Sequence, residues 1–188
     1  LFISFEGIEG SGKTTQIEKL HHYLIEKNQN TKITKEPGGT HFGAHIRSLI
    51  LDPQTHFSSP YTEVLLFLAD RMEHVETIVK PALKEGKIIL CDRYSDSTQA
   101  YQLAGRNMPK DVITTIDKYI NLKPQRTLLY DIDPQVGLKR AKDRAQLDRF
   151  EQETLTFHNT VRQEYLTIAQ NNPDRVKTIS VTSETPDE

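Results

Sequence analysis

Apolar positions along the chain fall into two alternating rhythms. Short runs rich in apolar and β-branched residues recur at 2–5, 32–35, 87–91, 127–131 and 175–181, each the length of a buried strand. Between them, apolar residues repeat at helical spacing. Ile17, Leu20, Leu24 and Ile25 form one such stripe, with Lys19, Glu26 and Lys27 off it. Comparable patterns span 41–51, 61–83, 95–102, 110–120 and 152–170. Within 61–83 the positions expected to serve the core are Val64, Leu68, Val75 and Val79. Strands that alternate with helices need crossover connections, so the pattern predicts an α/β fold with a parallel sheet. A length of 188 residues suits a single domain, 1–188. No internal repeat or low-complexity tract divides it, and residues 52–60 read as an ordinary surface loop.

Composition narrows the surroundings. A formal net charge of −2 gives no global reason to expect nucleic acid or an anionic membrane as partner, since counterion-driven binding needs a basic face. No run reaches the roughly 18 to 20 apolar residues of a membrane span. The expectation is a soluble, cytoplasmic protein. One cysteine, Cys91, sits in an apolar run; it excludes an intrachain disulfide, suits a reducing compartment and is expected in the core. The last residues, Ser183 to Glu188, combine a cap, a proline and acidic residues, the pattern of a helix start, so a further helix is expected beyond them.

The first predicted strand runs into Gly7-Ile8-Glu9-Gly10-Ser11-Gly12-Lys13-Thr14, which fits the phosphate-loop pattern G-x-x-x-x-G-K-[ST] between a strand and a helix. In such a loop glycines let successive N–H groups converge on a triphosphate at the positive end of the following helix. Lys13 then reaches the β- and γ-phosphates, and the Thr14 hydroxyl is a magnesium ligand.

In open parallel sheets ligands collect beyond the carboxyl ends of strands. The residues there are Gly7 onward, 36–39, 92–94 and Asp131. Asp92 stands where a phosphate-loop enzyme holds magnesium through a carboxylate. Arg93 cannot ligate a metal, but its planar fork suits a second phosphate group; the alternative is a strand-capping ion pair. Arg140, Arg144 and Arg149, with Lys139 and Lys142, form a basic cluster. It reads either as a solvated helix face or as a mobile, arginine-bearing lid at about 140–151 that stabilises transition-state charge. Phe67 and Arg71 stand four apart on one predicted helix, so they are either a core phenylalanine beside a surface arginine or a base-reading pair. In the second case the ring stacks and the guanidinium, a pure donor, accepts only a base edge bearing a carbonyl. No Asn-Lys-x-Asp guanine-reading sequence and no Asp-x-x-Gly switch follow the loop, which argues against a signalling GTPase. No His/Cys cluster has metal-site spacing.

Together, the segments 5–15, 36–40 (Glu-Pro-Gly-Gly-Thr), 92–94 (Asp-Arg-Tyr) with 97–102, and 147–151 resemble bacterial members of the thymidylate kinase family, in order and with suitable spacing. The resemblance implies a P-loop NTPase fold with a five-stranded parallel sheet flanked by helices on both faces. It implies transfer of the γ-phosphoryl group of ATP to dTMP, with magnesium, in a homodimer. ATP would lie on Gly7, Ile8, Glu9, Gly10, Ser11, Gly12, Lys13, Thr14 and Thr15. On the dTMP side, Phe67 would stack on thymine and Arg71 would donate to its O4. Arg47 and Gln102 would lie along the nucleoside, with Thr98 near the base and Glu36 and Ser97 among the contacts. Tyr101 would crowd the 2′ position of the sugar, Arg93 would clamp the dTMP phosphate, and Glu9 would approach the acceptor's sugar. The loop itself has no arginine, which resembles the subtype whose lid supplies the catalytic one; Arg144 matches that position and Arg149 is a second candidate. Lys35 departs from the arginine common before Glu36, and Asp143 places a negative charge in the lid.

Overall fold

A computed structural model describes residues 1–144 and 146–181. Five parallel strands, β1 (Phe2–Glu6), β2 (Thr31–Lys35), β3 (Ile88–Asp92), β4 (Arg126–Asp131) and β5 (Val176–Ser180), form one sheet in the order β2-β3-β1-β4-β5. Each predicted strand is present within a residue or two of its expected bounds. The expected helix start at 183–188 lies outside the described residues.

Period two along β1 sends Phe2, Ser4 and Glu6 to one face of the sheet and Ile3 and Phe5 to the other. On the first face Phe2 joins Ile89, Cys91, Val75 and Val79, all at 0% exposure. On the second, Phe5 and Leu90 pack on Ile17 of helix α1 (Lys13–Glu26). Both faces are therefore covered, as an all-parallel sheet requires. Ile25, counted in the sequence stripe, is instead half exposed. Burying side chains of this size contributes about 1.5 to 3 kcal/mol each.

Helix boundaries follow local chemistry. Thr40 caps α2 (His41–Leu51) by accepting the Gly43 N–H at 2.8 Å. Ser59 caps α3 (Pro60–His74), whose first residue, Pro60, has no N–H to leave unpaired. Thr154 caps α8 (Leu155–Asn171).

Two expected helices carry wider winding. The 61–83 pattern runs from α3 through a π-helical stretch, Val75–Val79, into α4 (Lys80–Lys84), where Pro81 needs no intrahelical partner. The 95–102 pattern begins as α5 (Ser95–Thr98) and continues as π-helix at Gln99–Gly105. After α6 (Lys110–Ile120) and β4 comes α7 (Pro134–Arg144), a helix that apolar periodicity did not disclose; it carries most of the basic cluster.

From β1 the chain leaves through α1 towards β2, and from β3 it leaves towards β4 on the opposite side of β1. The carboxyl ends of β1 and β3 thus border the switch point at which open α/β sheets place their ligands.

Candidate active site

The phosphate loop leaves β1 at Gly7. At the start of α1, Gly12 provides no side-chain cap, so the first N–H groups of the helix stay available to an anion. Gly10 adopts φ +69°, and a Cβ there would collide with the Gly137 carbonyl oxygen and lie 2.8 Å from its carbon. Lys13 folds back over the loop, donating from Nζ to Gly7 O at 3.0 Å, Ile8 O at 2.9 Å and Ser11 Oγ at 3.2 Å. Thr14 Oγ1 donates to Asp92 Oδ2 at 3.0 Å. The hydroxyl and carboxylate read from sequence as magnesium ligands therefore meet, although they lie 78 positions apart.

Beside the loop, a cavity opens between α2, α3, α5 and the strand ends. Arg93 sits on its wall with φ +68°, a left-handed conformation that is costly for a side chain this size and is held here by its N–H to Phe5 O. Its guanidinium donates to Gly7 O and to Glu9 Oε1, both at 2.9 Å. Glu9 Oε1 also accepts the Tyr101 hydroxyl at 2.6 Å, and the Tyr101 ring lies between Phe150, Phe157 and Tyr165. Beneath them Glu6, wholly buried at the end of β1, accepts from Tyr94 N, Ser97 Oγ and Tyr165 OH. The turn that carries Arg93 is thereby tied to the first strand.

At the far end of the cavity, Phe67 presents a half-buried ring against Phe150. Arg71 is only 2% exposed. Its Nε donates to Glu36 Oε2 at 2.8 Å and its NH2 to Thr98 Oγ1 at 2.7 Å, while NH1 makes no hydrogen bond among the described residues but lies 3.8 Å from the Asp117 carboxylate. The surface-arginine alternative is thus excluded. Gln102 donates to Glu63, and Arg47 is braced by Pro37 O at 2.9 Å.

The charges explain why the residues converge. Burial and the nearby Arg93 depress the Lys13 ammonium to about 8 from its ordinary 10.5. The same two causes lower Arg47. Three cations thus face one cavity and destabilise one another, an arrangement that bound phosphates relieve. Glu9 answers them: burial alone would raise its carboxyl, but Arg93, His158 and Lys13 hold it far below the usual range. Glu6, by contrast, is pushed up to about 7 by burial and by Asp96.

Of the residues read from sequence, the cavity wall holds Glu9, Gly10, Lys13, Thr14, Asp92 and Arg93 at the loop end. Glu36, Arg47, Phe67, Arg71, Ser97, Thr98, Tyr101 and Gln102 hold the other end, and Arg144 enters from α7. Others stand apart. Ile8 packs into the core, so only its backbone faces the loop, and Thr15 is exposed on α1. Arg149 turns from the cavity: Nε donates to Ile50 O at 2.7 Å, NH2 lies 2.7 Å from Glu63, and the guanidinium stacks on Phe150. Asp131 is taken by a two-pronged pair with Arg162 at 2.6 and 3.0 Å. Sequence reasoning assigned no role to Tyr94, whose ring supports the Arg71 guanidinium at 4.9 Å, or to Asp148 and Glu151, which line the cavity near Arg144. All three lie inside the quoted segments, which was the available signal.

Comparisons with known proteins agree with this geometry. Residues 5–187 match the family model described as "Thymidylate kinase". The chain is 45% identical over 186 residues to a thymidylate kinase of Pelobacter propionicus, covering 95% of this chain and 85% of that protein. It is 42% identical over 184 residues to one of Desulfosudis oleivorans, covering 93% and 86%. A crystal structure of thymidylate kinase from Ehrlichia chaffeensis superposes with a TM-score of 0.80 at 35% identity, covering 100% of this chain and 90% of that one.

Proposed function

The chain belongs to the thymidylate kinase family, and from that premise we propose how its own residues move the γ-phosphoryl group of ATP to dTMP, giving dTDP and ADP. The observation that carries the reading is the convergence of Lys13, Arg47 and Arg93 on one cavity whose other end offers an aromatic ring, Phe67, and a buried arginine, Arg71, in its wall. Two phosphorylated species meet at the first end, and a base with a carbonyl edge fits the second.

ATP lies with its phosphates on the loop from Gly7 to Thr14 and the start of α1. Lys13 exchanges its contacts with the loop carbonyls for the β- and γ-phosphates. The Thr14 hydroxyl and Asp92 carboxylate are an all-oxygen pair 3.0 Å apart, which suits magnesium, a hard cation that keeps several waters and takes further ligands from substrate phosphates. Bound there, the ion supplies neutralisation of charge on the transferring group. Arg93 holds the dTMP phosphate in line. A phosphate monoester with a second pKa of about 6 is already mostly dianionic at neutral pH, so no general base is needed. Positioning and charge stabilisation carry the rate. Arg144, 66% exposed at the end of α7, adds positive charge when the 140–151 segment closes. Tyr101, anchored on Glu9 and walled by aromatic rings, is the residue that would crowd a 2′ hydroxyl and favour deoxyribose.

Two further readings rest on surfaces. Phe42 and Leu49 on α2, and Tyr61, Leu65 and Met72 on α3, repeat at same-face spacing and remain 44 to 52% exposed; this apolar face supports a homodimer through α2 and α3. Leu65→Asp is expected to shift a dimeric mass to a monomeric one in light scattering. Among the described residues no helix is long and apolar enough to cross a membrane, and a cytoplasmic location is in keeping with the buried free thiol of Cys91.

The decisive assay is ADP release from Mg-ATP with dTMP, dUMP, dCMP, AMP or no acceptor, with Lys13→Ala as control. Stimulation chiefly by dTMP, lost in the control, is the expected result. ATP binding without stimulation by any acceptor would overturn the acceptor assignment in favour of a nucleotide-dependent switch.

A further inference from the structure

Beyond the residues that line the cavity, a chain of buried polar groups runs away from Arg71. Glu36 Oε2 accepts from Arg71 Nε at 2.8 Å, and its other oxygen, Oε1, lies 2.7 Å from Nδ1 of His74. The far side of that ring, Nε2, lies 2.6 Å from Thr34 Oγ1. The exposures are 2% for Arg71, 4% for Glu36, 0% for His74 and 8% for Thr34. An ionised carboxylate only accepts, so Nδ1 carries the proton and donates to Glu36. Two elements are joined by this chain: the end of β2 supplies Thr34 and Glu36, and one turn of α3 supplies Arg71 and His74.

The backbone of the 36–40 segment is shaped around the imidazole. A Cβ on Gly39 would stand 2.6 Å from His74 Cδ2 and 2.9 Å from Nε2. One turn earlier on α3, Asp70 accepts the Gly38 N–H at 3.0 Å. Asp70, Arg71 and His74, all within five residues of α3, thus grip the segment at Gly38 and at both oxygens of Glu36.

We propose that His74, backed by Thr34, is a positioning residue for acceptor recognition. It holds Glu36, and through it Arg71 Nε, so that the guanidinium, bonded also to Thr98 and 3.8 Å from Asp117, stays fixed in the cavity wall for the acceptor base. Without the imidazole, Glu36 has a free oxygen and can rotate. Arg71 can then pivot about Thr98, and the guanidinium loses its direction. The effect belongs to acceptor binding and selectivity, because the side chains of Lys13, Thr14, Asp92 and Arg144 bond to other partners; Asp92 meets this chain of bonds through its backbone carbonyl, which accepts the Glu36 N–H at 3.0 Å. The inference rests on the proposed reading of Arg71.

The test uses four variants of the full chain. His74→Asn places an amide N–H near the position of Nδ1 and keeps the bond to Glu36; His74→Gln reaches only towards Thr34; His74→Leu keeps bulk and loses both bonds. Arg71→Lys tests the underlying reading. Steady-state kinetics should show the KM for dTMP raised about ten- to a hundredfold in His74→Gln and His74→Leu, the equivalent of about 1.4 to 2.8 kcal/mol. The KM for ATP and kcat should stay within a few fold, the preference for dTMP over dCMP should narrow, and His74→Asn should recover most of the loss. A merely structural histidine would lower the active fraction equally for every substrate and leave both KM values unchanged, and that result would overturn the proposal. Should His74→Leu not fold, His74→Gln against His74→Asn carries the comparison. If Arg71→Lys leaves the KM for dTMP unaltered, the base-reading role itself fails; if Arg71→Lys raises it and His74→Gln does not, the positioning role alone fails.

Discussion

Lys13→Met should make this protein more stable while abolishing its activity. The wild-type ammonium is 7% exposed and sits close to Arg93, and its depression to about 8 from 10.5 means the folded state pays on the order of 3 kcal/mol to keep it charged at pH 7. Methionine has similar length and no charge. It gives up the bonds to Gly7 O, Ile8 O and Ser11 Oγ, worth about 1 kcal/mol each beyond the charge contribution already contained in the lowered pKa, and Gly7 O keeps a second donor in Arg93. The balance is a gain of about 1 to 2 kcal/mol, or roughly 2 to 8 °C in Tm for a chain of this size.

Urea unfolding of both proteins at several pH values measures the gain and its origin. Between pH 8 and 10.5 the unfolded chain binds more protons at this lysine than the folded one. Wild-type stability therefore rises with pH through that window relative to the variant, and the gap narrows. Below pH 8 both states hold the proton and the gap is constant. A variant less stable than wild type at pH 7, or a gap that does not narrow above pH 8, would refute the claim that the site stores electrostatic strain for its ligands.

Four other outcomes are expected. Arg144→Ala should lower kcat by about 10³ with Tm unchanged, since the side chain is largely exposed, whereas Arg149→Ala should mainly lower Tm by removing the contacts to Ile50 and Phe150; stopped-flow turnover and calorimetry separate the two, and the reverse pattern would transfer the catalytic role. Phe67→Ala should raise the KM for dTMP about ten- to a hundredfold, the loss of one stacked base, with kcat little changed in the same assay. Gly10→Ala forces a Cβ onto the Gly137 carbonyl at positive φ and should abolish ATP binding in titration calorimetry. Glu6, at about 7 against an ordinary 4.5, contributes stability that is present below pH 4.5 and lost as pH rises through 7; Glu6→Gln should flatten that part of the unfolding profile, and an unchanged slope would assign it to other groups, Asp70 among them.

What the sequence disclosed and what it hid divide along a physical line. The central strands β1, β3 and β4 were legible because an all-parallel sheet buries both their faces and leaves apolar runs, whereas the largely exposed edge strands β2 and β5 were marked by β-branched threonine, isoleucine and valine. Helix α7 was not, because a helix rich in lysine and arginine gives little apolar period to detect; its core contacts are few small residues such as Ala141 and Gly137. The π-helical stretches were equally silent, since a single widened turn leaves the apolar pattern on either side intact.

At the site, residues that meet ligands through fixed local chemistry could be read: a glycine-rich loop, a lysine, a hydroxyl, a strand-end aspartate. Partners chosen by the fold could not. Asp131 stands at a strand end as Asp92 does, yet Arg162, 31 positions later, neutralises it. Arg149 shares a short segment with Arg144, yet Glu63 and the Ile50 carbonyl draw it to the opposite side. His74 lies 38 positions from Glu36 with nothing between them to announce the bond. A motif therefore identifies the atoms offered to a ligand, while the groups that aim those atoms come from wherever the topology brings a buried donor within reach. Arg71 is where the two kinds of residue join. Its place on an amphipathic helix is local, but its direction depends on a carboxylate from β2, a hydroxyl from α5 and an imidazole one turn along its own helix.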